Sequence, residues 1–80
     1  MNFTEKINVA QIGVGYWGPN LLRNLMSNTN CNVIKVLDLS KERQEFVKQI
    51  YPSINVITDI NEIINDDNIQ AVVVSTPVKT

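Results

Sequence analysis

The 80-residue chain has no histidine and a single cysteine. The first absence removes the commonest metal ligand and the commonest general base. The second excludes an internal disulfide. Cys31 stands where a strand-like run begins and reads as a buried structural thiol, not as a nucleophile or metal ligand. No charge of one sign dominates: seven Lys and Arg against eight Asp and Glu leave a net charge of −1. That balance provides no basic field for nucleic acid. No apolar run approaches the ~20 residues of a membrane span, so no membrane partner is expected. Residues 1–6 lack the apolar core of a secretory signal. A lone thiol without an export signal suits a reducing cytoplasm. Glycine is scarce too, and all three glycines fall within residues 13–18.

Those glycines carry the main signal. Ile7-Asn8-Val9-Ala10-Gln11-Ile12 reads as a buried strand, followed by Gly13-Val14-Gly15-Tyr16-Trp17-Gly18. A helical pattern comes next, then Val33-Ile34-Lys35-Val36-Leu37 as a second strand ending at Asp38. A strand, a G-x-G-x-x-G loop, a helix, a strand and a terminal acid form the fingerprint of a dinucleotide-binding βαβ unit. Gly13 permits the sharp turn out of the strand. Gly15 lets backbone approach a pyrophosphate, and Gly18 lets the helix pack closely on the strand. The helix N-terminus aims free N–H groups at the phosphates. Asp38 lies 20 residues after Gly18, where a carboxylate accepts from the adenosine ribose hydroxyls and repels a 2′-phosphate. NAD is therefore favoured over NADP. A tight βα turn without ligand, or a loop for S-adenosylmethionine or FAD, would use similar glycines.

Strand and helix patterns alternate along the rest of the chain, which predicts an α/β parallel sheet. Leu21, Leu22, Leu25 and Met26 share one face of the first helix, with Pro19 tolerated in its first turn. Ser40 is placed to cap a second helix whose apolar stripe is Phe46, Val47, Ile50 and Tyr51, and Pro52 stops it. Asn55-Val56-Ile57 reads as a third strand. Asp59 with Glu62 resembles a capping box for a short third helix that turns Ile60, Ile63 and Ile64 to the sheet. Asp66 and Asp67 would end that helix, because anions oppose its C-terminal dipole. Ala71-Val72-Val73-Val74-Ser75 is the fourth strand, an exposed valine-rich edge, closed by Thr76-Pro77. Right-handed crossovers give the sheet order 3-2-1-4. That order brings residues 13–18 and 75–77 together at the topological switch point. The eleven asparagines are read as turn formers without a functional role. A complete dinucleotide fold has about six strands, so residues 1–80 are expected to be the N-terminal portion of a longer, here truncated, Rossmann-type domain.

Ile12-Gly13-Val14-Gly15-Tyr16-Trp17-Gly18-Pro19-Asn20-Leu21 resembles the N-terminus of the glucose-fructose oxidoreductase / inositol dehydrogenase / MocA family. Ala71-Val72-Val73-Val74-Ser75-Thr76-Pro77 is similar to that family's fourth-strand motif. The Tyr-Trp-Gly-Pro-Asn run resembles, more narrowly, the branch that oxidises nucleotide-linked amino sugars, such as the UDP-N-acetylglucosaminuronate 3-dehydrogenases. The resemblance spans nearly the whole chain. It implies an NAD(P)-dependent sugar or nucleotide-sugar dehydrogenase, homo-oligomeric at full length.

The resemblance also implies a cofactor site. Gly13, Gly15 and Gly18 would surround the pyrophosphate, with Tyr16 and Trp17 offering N–H groups and the Trp17 ring walling the nicotinamide. Asp38 would hold the adenosine ribose, Arg43 would border adenine, and Ser75, Thr76 and Pro77 would line the nicotinamide ribose. Plainer readings stand beside these. Tyr16 and Trp17 could be hydrophobic packing, Arg43 a solvated helix residue, Ser75 and Thr76 a strand end, and Asp38 a cap for the second helix. The family's catalytic lysine lies in a later Glu-Lys-Pro motif and its other acid/base groups in a second domain. The chain is thus expected to contain no catalytic residue and no metal site, and to be inactive alone. The competing reading is a non-enzymatic NAD-binding sensor or regulatory module, for which the loop would look the same.

Overall fold

Strands and helices alternate through the computed structural model, which describes residues 6–14 and 18–75. The elements are β1 (Ile7–Ile12), α1 (Gly18–Ser27), β2 (Cys31–Leu37), α2 (Lys41–Ile50), β3 (Asn55–Ile57), α3 (Asn61–Ile64) and β4 (Ala71–Val74). The four strands pair in parallel in the order β3-β2-β1-β4, as the crossover argument predicts.

Each sheet face has its own core. Leu22 of α1 and Val47 of α2 pack with Val14, Val33, Val36 and Ile54 on one face. Ile63 of α3 packs with Ala10, Leu37 and Ile57 on the other. A bulge in β2 makes this division possible. Val9 pairs with Val33 but Ala10 pairs with Lys35, so Ile34 is an extra residue. One added residue reverses the in-out alternation. Val33 and Val36 therefore share the α1–α2 face, although strict alternation would separate them.

The apolar stripes are narrower than the helical patterns suggest. Leu22 and Val47 are fully buried and Leu25, Phe46 and Tyr51 pack against them in part, whereas Ile50 is 52% and Met26 36% exposed. In α3 only Ile63 is buried, and Ile60 and Ile64 face outward. The reason is length: α3 has four residues, and one turn presents a single inward position. The expected capping box is also incomplete. Asp59 Oδ1 accepts from the Asn61 N–H at 2.9 Å, but no bond returns from the Glu62 side chain among the described residues. In α2 the expected cap is present, Ser40 Oγ accepting from the Arg43 N–H at 3.4 Å. Asn28 Oδ1 accepts from the Asn30 N–H at 2.8 Å, consistent with a turn role for that asparagine.

A polar tie joins α3 to the sheet. Lys35, in the middle of β2, projects toward α3, where its Nζ pairs with Asp66 at 2.8 Å and donates to the Glu62 carbonyl at 2.7 Å. A cation on the last carbonyls of a helix satisfies groups that have no intrahelical partner. Asp66 is more than a helix terminator: its carboxylate also accepts from the Asn68 N–H at 2.9 Å. The hydrogen bond from Lys35, then that from Asn68, holds the Asp66 carboxyl below its ordinary pKa, against a smaller opposing effect of desolvation. A carboxyl with a lowered folded-state pKa adds stability above its unfolded value, and that stability is lost as the pH falls through the folded value. Asp66→Asn is therefore expected to lower the urea midpoint at neutral pH, with the gap from the parent closing below about pH 4. A gap that stays constant into acid would contradict this role.

β4 is an edge, paired only with β1 among the described residues. Val72 and Val74 are 46% and 61% exposed, as the exposed valine-rich edge predicts.

Candidate functional site

The C-terminal ends of β1, β2 and β4 lie side by side at one end of the parallel sheet, and the strand order reverses between β1 and β4. Gly13 leaves β1 with φ 86°, the left-handed region open to glycine at little cost. Its N–H donates to the Leu37 carbonyl at 2.7 Å, which carries the chain toward the end of β2. Val14 then turns inward and is fully buried in the α1–α2 core, anchoring the loop.

Gly18 opens α1 and is buried. A Cβ there would lie 3.3 Å from both Gln11 Nε2 and the Gly13 carbonyl oxygen and 3.4 Å from Val14 Cβ. The first turn of α1 thus sits against the end of β1 as closely as glycine allows. That turn carries no acidic side chain, so its positive dipole end is not neutralised from within.

Asp38, just past β2, is fixed at four points. Its Oδ2 accepts from the Val14 N–H at 2.7 Å and its Oδ1 from the Ser40 N–H at 2.8 Å. Its own N–H donates to the Ile57 carbonyl at 3.3 Å, and its carbonyl accepts from Gln44 Nε2 at 2.7 Å. The cap of α2 is Ser40, so Asp38 does not take that role and instead links the glycine loop to the α2 entry. A carboxylate has about four lone-pair sites, so two N–H bonds leave capacity on both oxygens. Arg43 is half-buried in the first turn of α2, and its side chain makes no ion pair among the described residues. Ser75 follows β4 and its N–H donates to the Ile12 carbonyl at 2.8 Å, which places it beside Gly13. Gly15, Tyr16, Trp17, Thr76 and Pro77 lie outside the described residues.

Two polar strand residues escape the sequence reading, one under the site and one away from it. Gln11 is fully buried beneath the glycine loop, and Lys35 makes the tie described above. Each interrupts an apolar strand run with one polar residue, and that break was the available signal. Among the described residues, no group of three or more acidic or cysteine side chains is placed to hold a metal. No helix among them is long and apolar enough to cross a membrane.

A parallel sheet with order 3-2-1-4, a glycine turn at its switch point and an acid at the end of β2 define a Rossmann-type nucleotide-binding fold. The oxidoreductase family GFO_IDH_MocA, described as having an NAD-binding Rossmann fold, matches residues 7–80. The chain belongs to that family. Solved structures agree. GenD2 from gentamicin A biosynthesis, crystallised with NAD, superposes with a TM-score of 0.82 at 25% identity, covering 96% of this chain and 22% of its own. YvaA from Bacillus subtilis, described as an oxidoreductase, gives 0.78 at 27% identity, covering 96% and 21%. A protein from Sinorhizobium meliloti 1021 described as a myo-inositol dehydrogenase gives 0.80 at 25% identity, covering 90% and 21%. The chain thus spans 21–22% of the length of these structures. No curated relative matches the sequence.

Proposed function

We propose that this chain is the NAD-holding N-terminal portion of a dehydrogenase that moves hydride between a hydroxyl-bearing carbon of a sugar or nucleotide sugar and nicotinamide. The observation that carries the reading is Asp38, anchored 2.7 Å from the Val14 N–H beside the glycine turn. The residues present suit a dinucleotide. Gly13 adopts a positive φ and Gly18 fills a space that a Cβ would crowd, so the backbone can approach a pyrophosphate. Gly15, Tyr16 and the first turn of α1 would supply N–H donors to it, and Trp17 would wall the nicotinamide. Asp38 would accept from the adenosine ribose hydroxyls with its remaining lone pairs, and its charge disfavours a 2′-phosphate. The Arg43 guanidinium would stack on adenine. Ser75, Thr76 and Pro77 would line the nicotinamide ribose. When bound, NAD supplies the hydride acceptor. The proton-accepting base and the substrate pocket would come from the part of the protein that its structural relatives have and this segment does not. GenD2 with its NAD, and the myo-inositol dehydrogenase, support both the cofactor and a polyhydroxylated substrate class.

Calorimetric titration of the folded chain tests the cofactor half of this reading. NAD is expected to bind at least about tenfold more tightly than NADP. Asp38→Ala is expected to weaken NAD by about tenfold, the scale of a hydrogen bond to a charged group, and to narrow the gap between the two. A folded chain that binds neither dinucleotide, or an Asp38→Ala variant that keeps the full NAD preference, would sink the assignment.

A further inference from the structure

We infer that Gln11 is a positioning residue for Asp38, acting through the peptide between Gly13 and Val14, and so helps set the preference for NAD over NADP. The inference rests on the NAD-holding reading above. Gln11 is fully buried in β1, under the glycine loop. Its Nε2 donates to the Gly13 carbonyl at 2.9 Å and to the Gly18 carbonyl at 3.3 Å. One amide group thereby holds both ends of the loop. The orientation of that amide is set by its neighbours, since a flipped amide would turn its oxygen onto two carbonyl oxygens.

The Gly13–Val14 peptide is gripped from both sides. Its carbonyl points inward to Gln11, and its N–H, which is opposed in a trans peptide, points to Asp38 Oδ2 at 2.7 Å. A chain of hydrogen bonds therefore runs from Gln11 through one peptide to Asp38, and from Asp38 Oδ1 to the Ser40 N–H. Bonds in such a series polarise one another and fix one another's direction. Gly13 makes the grip necessary. A glycine peptide rotates easily, and rotation about this one would withdraw the N–H that orients the carboxylate.

The arrangement has a cost that packing alone does not explain. Gln11 Oε1 is buried and has no hydrogen-bond partner among the described residues. A buried carbonyl without a donor is unfavourable, and an apolar residue of similar size would avoid it. A local violation of this kind is expected where a site needs the group.

The experiment uses the folded chain and Gln11→Met, which keeps length and removes the donor. The proton resonance of the Val14 amide, bonded to a carboxylate at short range, is expected at low field in the parent and upfield in the variant. The ratio of NAD to NADP affinity is expected to fall by about tenfold. A folded Gln11→Met chain with the parent's Val14 resonance and the parent's affinity ratio would overturn the inference. Should Gln11→Met not fold, Asp38→Asn reads the same link in reverse: the Gln11 side-chain amide resonances shift if the link exists and stay if it does not. Absence of dinucleotide binding in the parent would defeat the NAD-holding reading and, with it, the claim about preference. The Val14 resonance would still report whether Gln11 orients Asp38.

Discussion

Truncating Leu22 to alanine is expected to lower the unfolding free energy by about 3 kcal/mol. Leu22 is fully buried and is the α1 residue at the centre of the core that joins Val14, Val33, Val36, Val47 and Ile54. The surroundings have little freedom to collapse into the space. Val33 is held by pairing with β1 and Val36 by pairing with both β1 and β3, and Val14 is tied through its N–H to Asp38. The lost transfer free energy and the residual cavity therefore add. A domain of this size has only a few kcal/mol of net stability, so the variant should be largely unfolded without denaturant. Urea unfolding followed by circular dichroism measures it. A midpoint within error of the parent would mean that α1 is held by something other than this contact. Met26, on the same helix but exposed, should tolerate alanine with a loss under about 0.5 kcal/mol.

The contrast between Leu22 and Met26 shows where sequence reading succeeds and where it stops. Strands β1 and β3 carry the bounds that their residue patterns suggest, because buried parallel strands read as short apolar runs between turn residues. The strand order follows from alternation and crossover handedness, which leave few topologies. Helical periodicity, by contrast, marks a face without saying how wide the contact is. Leu22 and Met26 share a face on a helical wheel, but only Leu22 lies over the sheet. Gln11 and Lys35 were hidden for a different reason. Each is a polar residue within an apolar run, and its partners include groups that only the fold brings near: the Gly18 carbonyl, beside that of Gly13, for Gln11, and the Glu62 carbonyl and Asp66 carboxylate for Lys35. No periodicity announces such a bond. Asp38 was legible because its spacing from the glycines is a property of the βαβ unit. Its tether to the Val14 N–H depends on the direction of one peptide plane and was not.

Gly18→Val is expected to weaken NAD binding by about 100-fold while leaving the strand pairing in place. A Cβ at Gly18 already falls 3.3 Å from the Gly13 carbonyl oxygen and 3.4 Å from Val14 Cβ. Both belong to the loop itself, so neither can swing aside as the end of a flexible side chain would. The two further methyl groups of valine must push the first turn of α1 away from the end of β1. Overpacking of this kind costs about 1–3 kcal/mol, and here the strain falls on the backbone that would meet the pyrophosphate. A loss of about 2.7 kcal/mol in binding corresponds to the 100-fold change. Gly18→Ala separates crowding from flexibility. Alanine adds one Cβ at the first position of the helix, so stability should fall less than with valine while NAD binding still falls. Calorimetry with NAD, paired with thermal melting, reads both quantities. If Gly18→Val binds NAD as the parent does, close approach of α1 to β1 at Gly18 is not what forms the site.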